Sequence, residues 1–171
     1  YPLDIKSVPS IGGINNANLE KIISLKPDIV ITSSIFTKKM FTTIEDAGIP
    51  IISFKESNKI EGMYNVITIL GKITNKNNEA KALIANCKRQ IQEIKTKRDS
   101  INSIRHITKK PKVYYVVGFG SSGDFSGGKD TYINEILTLS GGDNIAKESK
   151  MWSFSKEQLF KNQPDYIIVR Q

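Results

Sequence analysis

The spacing of apolar residues changes repeatedly between helical and strand-like in the first part of the chain. After Asn18, which can cap a helix, apolar residues recur at steps of three and four until Pro27. The continuous apolar run 29–31 then predicts a buried strand. Residues 36–47 have helical spacing and end at a glycine, and residues 49–54 predict a second strand. Helices that alternate with strands predict a parallel α/β sheet.

The longest periodic segment runs from Asn77 to Ile104 and contains no glycine or proline. At about 1.5 Å per residue, such a helix spans on the order of 40 Å, which is more than one small lobe needs. We therefore expect it to connect two lobes. The expected division is an N-terminal lobe over residues 1–75, the connecting helix over 76–108 and a C-terminal lobe over 109–171.

Further elements are predicted on both sides of this segment. Residues 60–71 carry apolar side chains at three- and four-residue steps and predict a helix before it. After it, the apolar and aromatic run Val113–Val117 predicts a strand. Residues 132–139 predict another helix, which a pair of glycines ends. The pattern therefore predicts a second α/β unit.

A short motif occurs twice in the chain with the same internal spacing. Asn18-Leu-Glu20 precedes Pro27-Asp28, and Ser155-Lys-Glu157 precedes Pro164-Asp165 at the same distance. Each copy predicts a capped short helix, a break at Pro-Asp and a buried strand. The repeat therefore predicts two similar α/β lobes on either side of the long helix.

Composition excludes several classes of protein. The net charge is +8 and the pI about 9.5, but only four of the 25 basic residues are arginine. Nucleic-acid recognition favours clustered arginine with aromatic residues between them, so we expect a solvated lysine-rich surface and no nucleic-acid partner. The single cysteine, Cys87, excludes an internal disulfide and a cysteine metal site. It leaves the redox compartment open.

Two glycine-rich stretches suggest nucleotide binding. Gly118-Phe-Gly-Ser-Ser-Gly123 follows a predicted strand and matches the dinucleotide fingerprint, but no helix is predicted to open inside it. Residues 123–130 nearly match a P-loop, yet Asp130 stands where a Ser or Thr must bind magnesium. We expect Asp130 to be the N-cap of the helix that begins at Thr131. A Rossmann-type enzyme that uses the Gly118–Gly123 loop is the alternative function.

The residue types that most catalytic and metal sites require are scarce. His106 is the only histidine, so neither a Ser-His-Asp triad of the usual form nor a multi-histidine metal site is possible. A carrier of bare zinc or manganese is disfavoured for the same reason. We expect no cofactor, no metal site and no enzymatic activity.

Several segments of the chain form a distinctive combination. They include Val8-Pro-Ser-Ile-Gly-Gly13, Asn18–Ile31, Gly127-Gly-Lys-Asp-Thr-Tyr-Ile-Asn-Glu-Ile136 and Leu139-Ser-Gly-Gly-Asp-Asn-Ile-Ala146. In this combination they resemble the substrate-binding proteins of bacterial ABC importers for cobalamin and iron-siderophore complexes. These segments follow one another in the order found in the family. The resemblance implies two Rossmann-like α/β lobes with parallel sheets, one long backbone helix and a ligand held between the lobes. It also implies that both ends of the family pattern are missing here, so that we expect a fragment.

The resemblance assigns one glutamate of each lobe to docking on the membrane permease. The positions that match are Glu20 and Glu157. Each lies in the first turn of a capped helix, so complementing the helix dipole is the competing explanation, at about 0.3–1 kcal/mol. The shared position in the repeat favours docking.

Ligand contacts in α/β lobes come from the loops that follow the strands. Trp152 and Phe154 could stack on a flat ligand, and Arg170 would suit an anionic ferric siderophore. The alternatives are that Phe54 and Phe154 are core residues, that Ser33 caps a helix, that Trp152 is a surface aromatic and that Arg170 forms a salt bridge within its lobe. The full set of expected ligand-binding residues is Gly12, Gly13, Ser33, Ser34, Phe54, Gly118, Phe119, Trp152 and Arg170.

The ligand class and the location of the protein follow only from the resemblance. It implies an iron complex, either a siderophore or haem, or else cobalamin. A tryptophan common among cobalamin carriers is absent from the loop at 11–13, which favours iron complexes. The implied location is outside the cytoplasmic membrane, in the periplasm or lipid-anchored to its outer face. We also expect the fragment to associate with itself through an unfinished sheet.

Overall fold

The computed structural model describes residues 3–13, 16–55, 57–120, 124–150 and 152–169 of the 171-residue chain. The chain divides into two compact units, residues 1–56 and residues 57–171. The long helix therefore groups with the second unit. The expected partition into lobes 1–75 and 109–171 with a connecting helix at 76–108 stays a prediction.

The first unit begins with a 3-10 helix, Leu3–Ser7, and a small antiparallel pair of strands, β1 (Gly12–Gly13) and β2 (Asn16–Ala17). Helices and strands then alternate as α1 (Leu19–Ser24), β3 (Val30–Ser33), α2 (Lys38–Asp46) and β4 (Ile51–Phe54). Strands β3 and β4 pair in parallel. Their core is a cluster of buried isoleucines, Ile22, Ile44 and Ile49.

The second unit starts with two helices, α3 (Ile60–Ile73) and α4 (Asn77–Ile104). They are followed by β5 (Lys112–Val116), α5 (Tyr132–Leu139), β6 (Asp143–Asn144), α6 (Lys156–Asn162) and β7 (Tyr166–Val169). The sheet has the order β6-β5-β7, and both pairings are parallel. The predicted alternation of helices with parallel strands is confirmed.

Strand β5 carries the core of the second unit on both of its faces. Val113 packs with Ile133 and Leu137 of α5 on one face. Tyr114 packs with Ala146 and Phe154 on the other. Successive side chains of a strand point to opposite sides, so the central strand separates two small clusters. Phe154 is 4% exposed.

Helix α4 has the predicted bounds, 77–104. Its half-buried residues recur at steps of three and four along one stripe, and most of its other side chains are exposed. Among the residues that the structure describes, no helix is both long and apolar enough to cross a membrane.

One predicted helix cap is wrong by one residue. The N-cap of α5 is Thr131 and not Asp130, because Thr131 has the extended backbone of a cap, with φ −126° and ψ 152°. Its hydroxyl accepts a hydrogen bond from the amide of Asn134 at 3.4 Å and donates one to the carbonyl of Gly128 at 2.7 Å. Asp130 is exposed in the preceding turn.

Candidate functional site

The two copies of the repeated motif have the same local geometry. The side chain of Asn18 accepts the amide hydrogen of Lys21 at 2.9 Å, and that of Ser155 accepts the amide hydrogen of Gln158 at 3.1 Å. The Ser155 copy is a full capping box. Each copy then reaches a non-glycine residue in the left-handed region, Lys26 at φ 46° or Gln163 at φ 43°.

Glu20 and Glu157 are equivalent residues of these two copies. Each is the second residue of its helix, α1 or α6, and each side chain is exposed. Within the described part of the chain, neither carboxylate is paired with a basic side chain. Both carboxylates lie in the first turn of a helix, where the helix dipole favours a negative charge.

In the first unit, two of the expected ligand-binding residues are direct neighbours. Ser33 and Phe54 end strands β3 and β4 and lie opposite each other in the parallel register. Both are half-buried, and Ser34 is exposed in the turn that follows Ser33. The carboxyl ends of neighbouring parallel strands thus bring these side chains to one edge of the sheet, where α/β proteins commonly bind ligands.

Gly12 and Gly13 form strand β1, which pairs closely with β2. Gly12 has φ +108°, and a Cβ atom there would lie 2.5 Å from the carbonyl oxygen of Asn16. The amide of Gly13 donates to Oδ1 of Asn16 at 3.0 Å. Gly12 must therefore be glycine for the close pairing of β1 with β2. Contact of Gly12 or Gly13 with a ligand stays a prediction.

The second unit contains a cavity of about 450 Å³ at the carboxyl end of β5. Its lining is mainly aromatic and aliphatic and comes from the strand end, the loop after it, the start of α5 and the segment before α6. The lining residues are Tyr115, Val116, Val117, Phe125, Tyr132, Ile133 and Trp152.

Two contacts fix Trp152 in the wall of this cavity. The rings of Trp152 and Tyr132 meet edge to face, with centroids 6.1 Å apart. The carbonyl of Trp152 accepts the amide hydrogen of Ser126 at 2.9 Å. Phe125 is bridged by backbone hydrogen bonding to Gly118 on one side and Ser153 on the other. The loop after β5 and the segment before α6 therefore form one continuous wall.

The chemistry of the lining suits a large apolar or aromatic ligand. The polar side-chain groups of its described lining residues are the phenols of Tyr115 and Tyr132 and the indole N–H of Trp152. Those lining residues include neither histidine nor a carboxylate side chain. No group of three or more His, Cys, Asp or Glu side chains placed to hold a metal occurs among the described residues. The cavity can stack on a ring system and donate a few hydrogen bonds.

The expected ligand-binding residues of the second unit have different surroundings. Trp152 lines the cavity, and Gly118 lies beside it against Phe125. Phe119 is 78% exposed and lines a separate apolar groove of about 310 Å³ with Phe160 and Ile167. Phe154 lies in the core against Tyr114, which is the alternative to stacking on a ligand. Arg170 lies outside the described residues.

Sequence reasoning missed three aromatic residues of the cavity. Tyr115 faces the α5 side of the sheet, which alternation along β5 could have indicated. Tyr132 follows the cap of α5, and Phe125 belongs to a loop that folds back onto Gly118. Neither position has a periodic signal in the sequence, because both depend on how the loop closes.

Burial raises the pKa of two tyrosines that do not line the cavity. Burial raises the pKa of Tyr114, and the negative charge of Asp124 raises it further. Burial also raises the pKa of Tyr64 on α3, with smaller contributions from Cys87, Glu61 and Glu135. Both phenols therefore stay neutral at physiological pH.

The described residues of the glycine-rich loop after β5 do not have the geometry of a dinucleotide site. The first helix described after β5 is α5, which begins at Tyr132. The described residues of the Gly118–Gly123 loop are 118–120, and they are not the start of a helix. A phosphate site of this class needs a helix that opens within the motif.

Residues 2–171 match the model of the family described as periplasmic binding protein. An uncharacterized ABC transporter substrate-binding lipoprotein of Bacillus subtilis is 27% identical over 99% of this chain and 53% of its own length. A cobalamin-binding protein of Halobacterium salinarum is 26% identical over 96% of this chain and 43% of its own.

A solved structure supports the same fold. A possible iron-binding (periplasmic solute-binding) protein of Staphylococcus epidermidis superposes with a TM-score of 0.76 and 27% identity, over 99% of this chain and 64% of the other. The chain thus spans about half the length of the curated relatives it matches.

Proposed function

Since this chain belongs to the periplasmic binding protein family, we propose that its parent protein is the solute-binding component of an ABC importer. In this role it captures a ligand outside the cytoplasmic membrane and delivers it to the membrane permease. The family match over residues 2–171 and the substrate-binding lipoprotein among the relatives support the proposal. The protein carries its ligand and does not transform it.

The proposed ligand is an iron complex, either a ferric siderophore or haem, or else cobalamin. The observation that carries this assignment is the cavity of about 450 Å³ with Trp152 and Tyr132 in its wall. Haem, cobalamin and catecholate siderophores present ring systems that can stack on aromatic side chains. The names of two relatives, a cobalamin-binding protein and a possible iron-binding protein, are consistent with this choice.

Glu20 and Glu157 are the proposed docking residues for the permease. Each is exposed on a capped helix, and they hold the same place in the two copies of the repeat. Exposed carboxylates of this kind pair with basic residues of a partner and accelerate encounter, in a way that salt weakens. The parent protein acts in the periplasm or lipid-anchored to the outer face of the membrane, as the relative named a lipoprotein suggests.

The experiment is a ligand screen on the full-length parent protein. Equilibrium dialysis with haemin, a ferric catecholate, a ferric hydroxamate, cyanocobalamin and NAD is expected to show binding of one of the first four. Fluorotryptophan labelling adds a local signal, because the Trp152 resonance is identified as the one lost in Trp152→Phe. The bound ligand should shift that resonance.

Two results would overturn the proposal. Binding of NAD with none of the other four would favour the Rossmann-type enzyme. Binding of a metal complex that leaves the Trp152 resonance unmoved would remove the cavity from the binding site. Trp152→Phe should retain most of the affinity and Trp152→Ala should lose about tenfold, because only phenylalanine preserves an aromatic face.

A further inference from the structure

The N-terminus of α3 has no cap of its own. Its N-cap residue, Lys59, has an extended backbone and makes no side-chain hydrogen bond to the first turn. The first amide groups of a helix have no partner within the helix and carry a partial positive charge. The first turn of α3 therefore needs an acceptor from outside the helix.

That acceptor comes from α5, 75 residues further along the chain. Oε2 of Glu135 accepts the amide hydrogen of Ile60, the first residue of α3, at 2.7 Å. The bond is partly buried, and a carboxylate at a helix N-terminus is favourable. Glu135 thus ties α5 to the helix through which the chain enters the second unit.

A second charged side chain ties α5 to α4. Nη1 of Arg98 donates to the carbonyl of Leu139, the last residue of α5, at 2.8 Å. The aliphatic part of the Arg98 side chain packs against Gly141. A Cβ atom at Gly141 would lie 3.0 Å from Cδ of Arg98. Arg98 is itself held by an ion pair with Asp99 at 2.7 Å. Helix α5 is therefore fixed against both helices that precede the sheet.

Helix α5 also carries part of the cavity wall. Tyr132 lies one helical turn before Glu135, and both Tyr132 and Ile133 line the cavity. Any displacement of the Glu135 turn moves the Tyr132 ring relative to Trp152. The contact with α3 and the shape of the cavity are consequently linked through one turn of one helix.

We propose that Glu135 is a positioning residue, which holds the Tyr132 wall of the cavity in place by accepting the amide hydrogen of Ile60. The role concerns the shape of the cavity, whatever the cavity binds. Only its consequence for affinity rests on the proposed function.

The first test replaces the acceptor. In full-length Glu135→Ala, the Ile60 amide should exchange with solvent about tenfold faster, the scale of a hydrogen bond to a charged group. The Trp152 fluorotryptophan resonance should shift or broaden without any ligand. Glu135→Gln keeps an acceptor oxygen. Its Ile60 exchange rate and its Trp152 resonance should therefore be close to those of the wild type. Glu93→Ala, which removes only an exposed ion pair with Arg89 on α4, is the matched control.

The second test removes the donor. Ile60 is the first residue of α3, where proline is well tolerated, and the extended backbone of Lys59 suits the residue before a proline. Ile60→Pro removes both the isoleucine side chain and the amide hydrogen. Ile60→Ala removes the side chain but keeps the amide hydrogen. The proline variant should therefore perturb the Trp152 resonance more than the alanine variant does. In a Glu135→Ala background the two should be equal.

The outcomes separate this proposal from the proposed function. Faster Ile60 exchange with an unchanged Trp152 resonance would reduce Glu135 to a cap of α3 and overturn the positioning role. Unchanged Ile60 exchange would overturn the contact itself. Failure of every ligand to bind would contradict the proposed function, while the exchange and resonance measurements would still decide the role of Glu135. If a ligand binds, Glu135→Ala should lower the affinity for that ligand by about threefold to tenfold, which is the range of one aromatic contact.

Discussion

The rings of Tyr132 and Trp152 meet edge to face in the cavity wall, with their planes inclined by 68°. Such pairs contribute about 0.5–1.5 kcal/mol beyond the area they bury. The two residues come from different segments, the start of α5 and the stretch before α6. Their contact therefore closes the cavity on one side.

Tyr132→Ala is expected to lower the affinity for the proposed ligand by about threefold to tenfold, because Trp152 loses the ring that orients it. Tyr132→Phe should retain the affinity. Titration of the full-length protein measures both. Tyr166→Ala, which truncates a tyrosine of β7 that is 62% exposed, is the control. Equal affinity in wild type and Tyr132→Ala would exclude the ring from the binding site.

The double variant Glu20→Ala/Glu157→Ala is expected to reduce uptake strongly and to leave ligand affinity in solution nearly unchanged. Both carboxylates are exposed, and neither residue is among those that line the cavity. The matched control is Glu45→Ala/Glu79→Ala, which removes two other exposed carboxylates. Transport assays at several salt concentrations should show the wild-type dependence on salt lost in the double variant. Wild-type uptake in that variant would contradict docking through these residues.

Thr131→Ala is expected to lower the free energy of unfolding by about 1–2 kcal/mol, because the cap hydrogen bond to Asn134 is lost and the carbonyl of Gly128 loses a donor. Thr131 is 2% exposed. Asp130→Ala should change the free energy of unfolding by less than about 0.5 kcal/mol, as expected for an exposed side chain. Urea unfolding of both variants measures the difference. A larger effect at Asp130 would reverse the assignment of the cap.

Stability should fall at alkaline pH because of Tyr64 and Tyr114. Burial raises the pKa of both phenols above the ordinary value of 10.0. The folded protein then holds these protons more tightly than the unfolded chain does. The contribution of the two phenols to stability is therefore constant below pH 10 and declines above it. Urea unfolding midpoints measured across this range should decline less in Tyr114→Phe. An identical decline in that variant would exclude Tyr114 as a cause.

A chain of residues 1–171 is expected to associate with itself through β7. This strand lies at the edge of the described sheet, and all four of its residues are exposed. Exposed apolar edge strands promote pairing between chains, and a lysine in the strand opposes it. Ile167→Lys should therefore shift the sedimentation coefficient towards that of a monomer, and Ile104→Lys, at an exposed residue outside the sheet, should not. A monomeric wild-type chain at high micromolar concentration would contradict this prediction.

The sequence predicted those parts of the fold that depend on local periodicity. Helix α4 has its predicted bounds, because an uninterrupted helical stripe without glycine or proline has few alternatives. The repeat was also predictable, since Asn18 and Ser155 are strong caps before apolar residues. Strand β6 was not predicted. Its two residues, Asp143 and Asn144, become a strand only through pairing with β5.

The cavity was less predictable than the fold. Trp152 could be selected by residue type alone, but Tyr132 and Phe125 become neighbours only when the loop after β5 closes. Phe154, two residues from Trp152, enters the core. Two adjacent residues, Asp130 and Thr131, were both chemically suited to cap α5, and only the backbone geometry selects between them. In each case, tertiary contacts decide between local alternatives.

The left-handed residues Lys26 and Gln163 have a consequence for engineering the protein. At φ 46° and 43°, each holds a side chain in a conformation that favours glycine, at a cost of about 1 kcal/mol. Both copies of the repeat therefore have a non-glycine residue in the left-handed conformation. Two single glycine substitutions, at residues that are not part of the cavity lining, are therefore available as a route to a more heat-resistant protein.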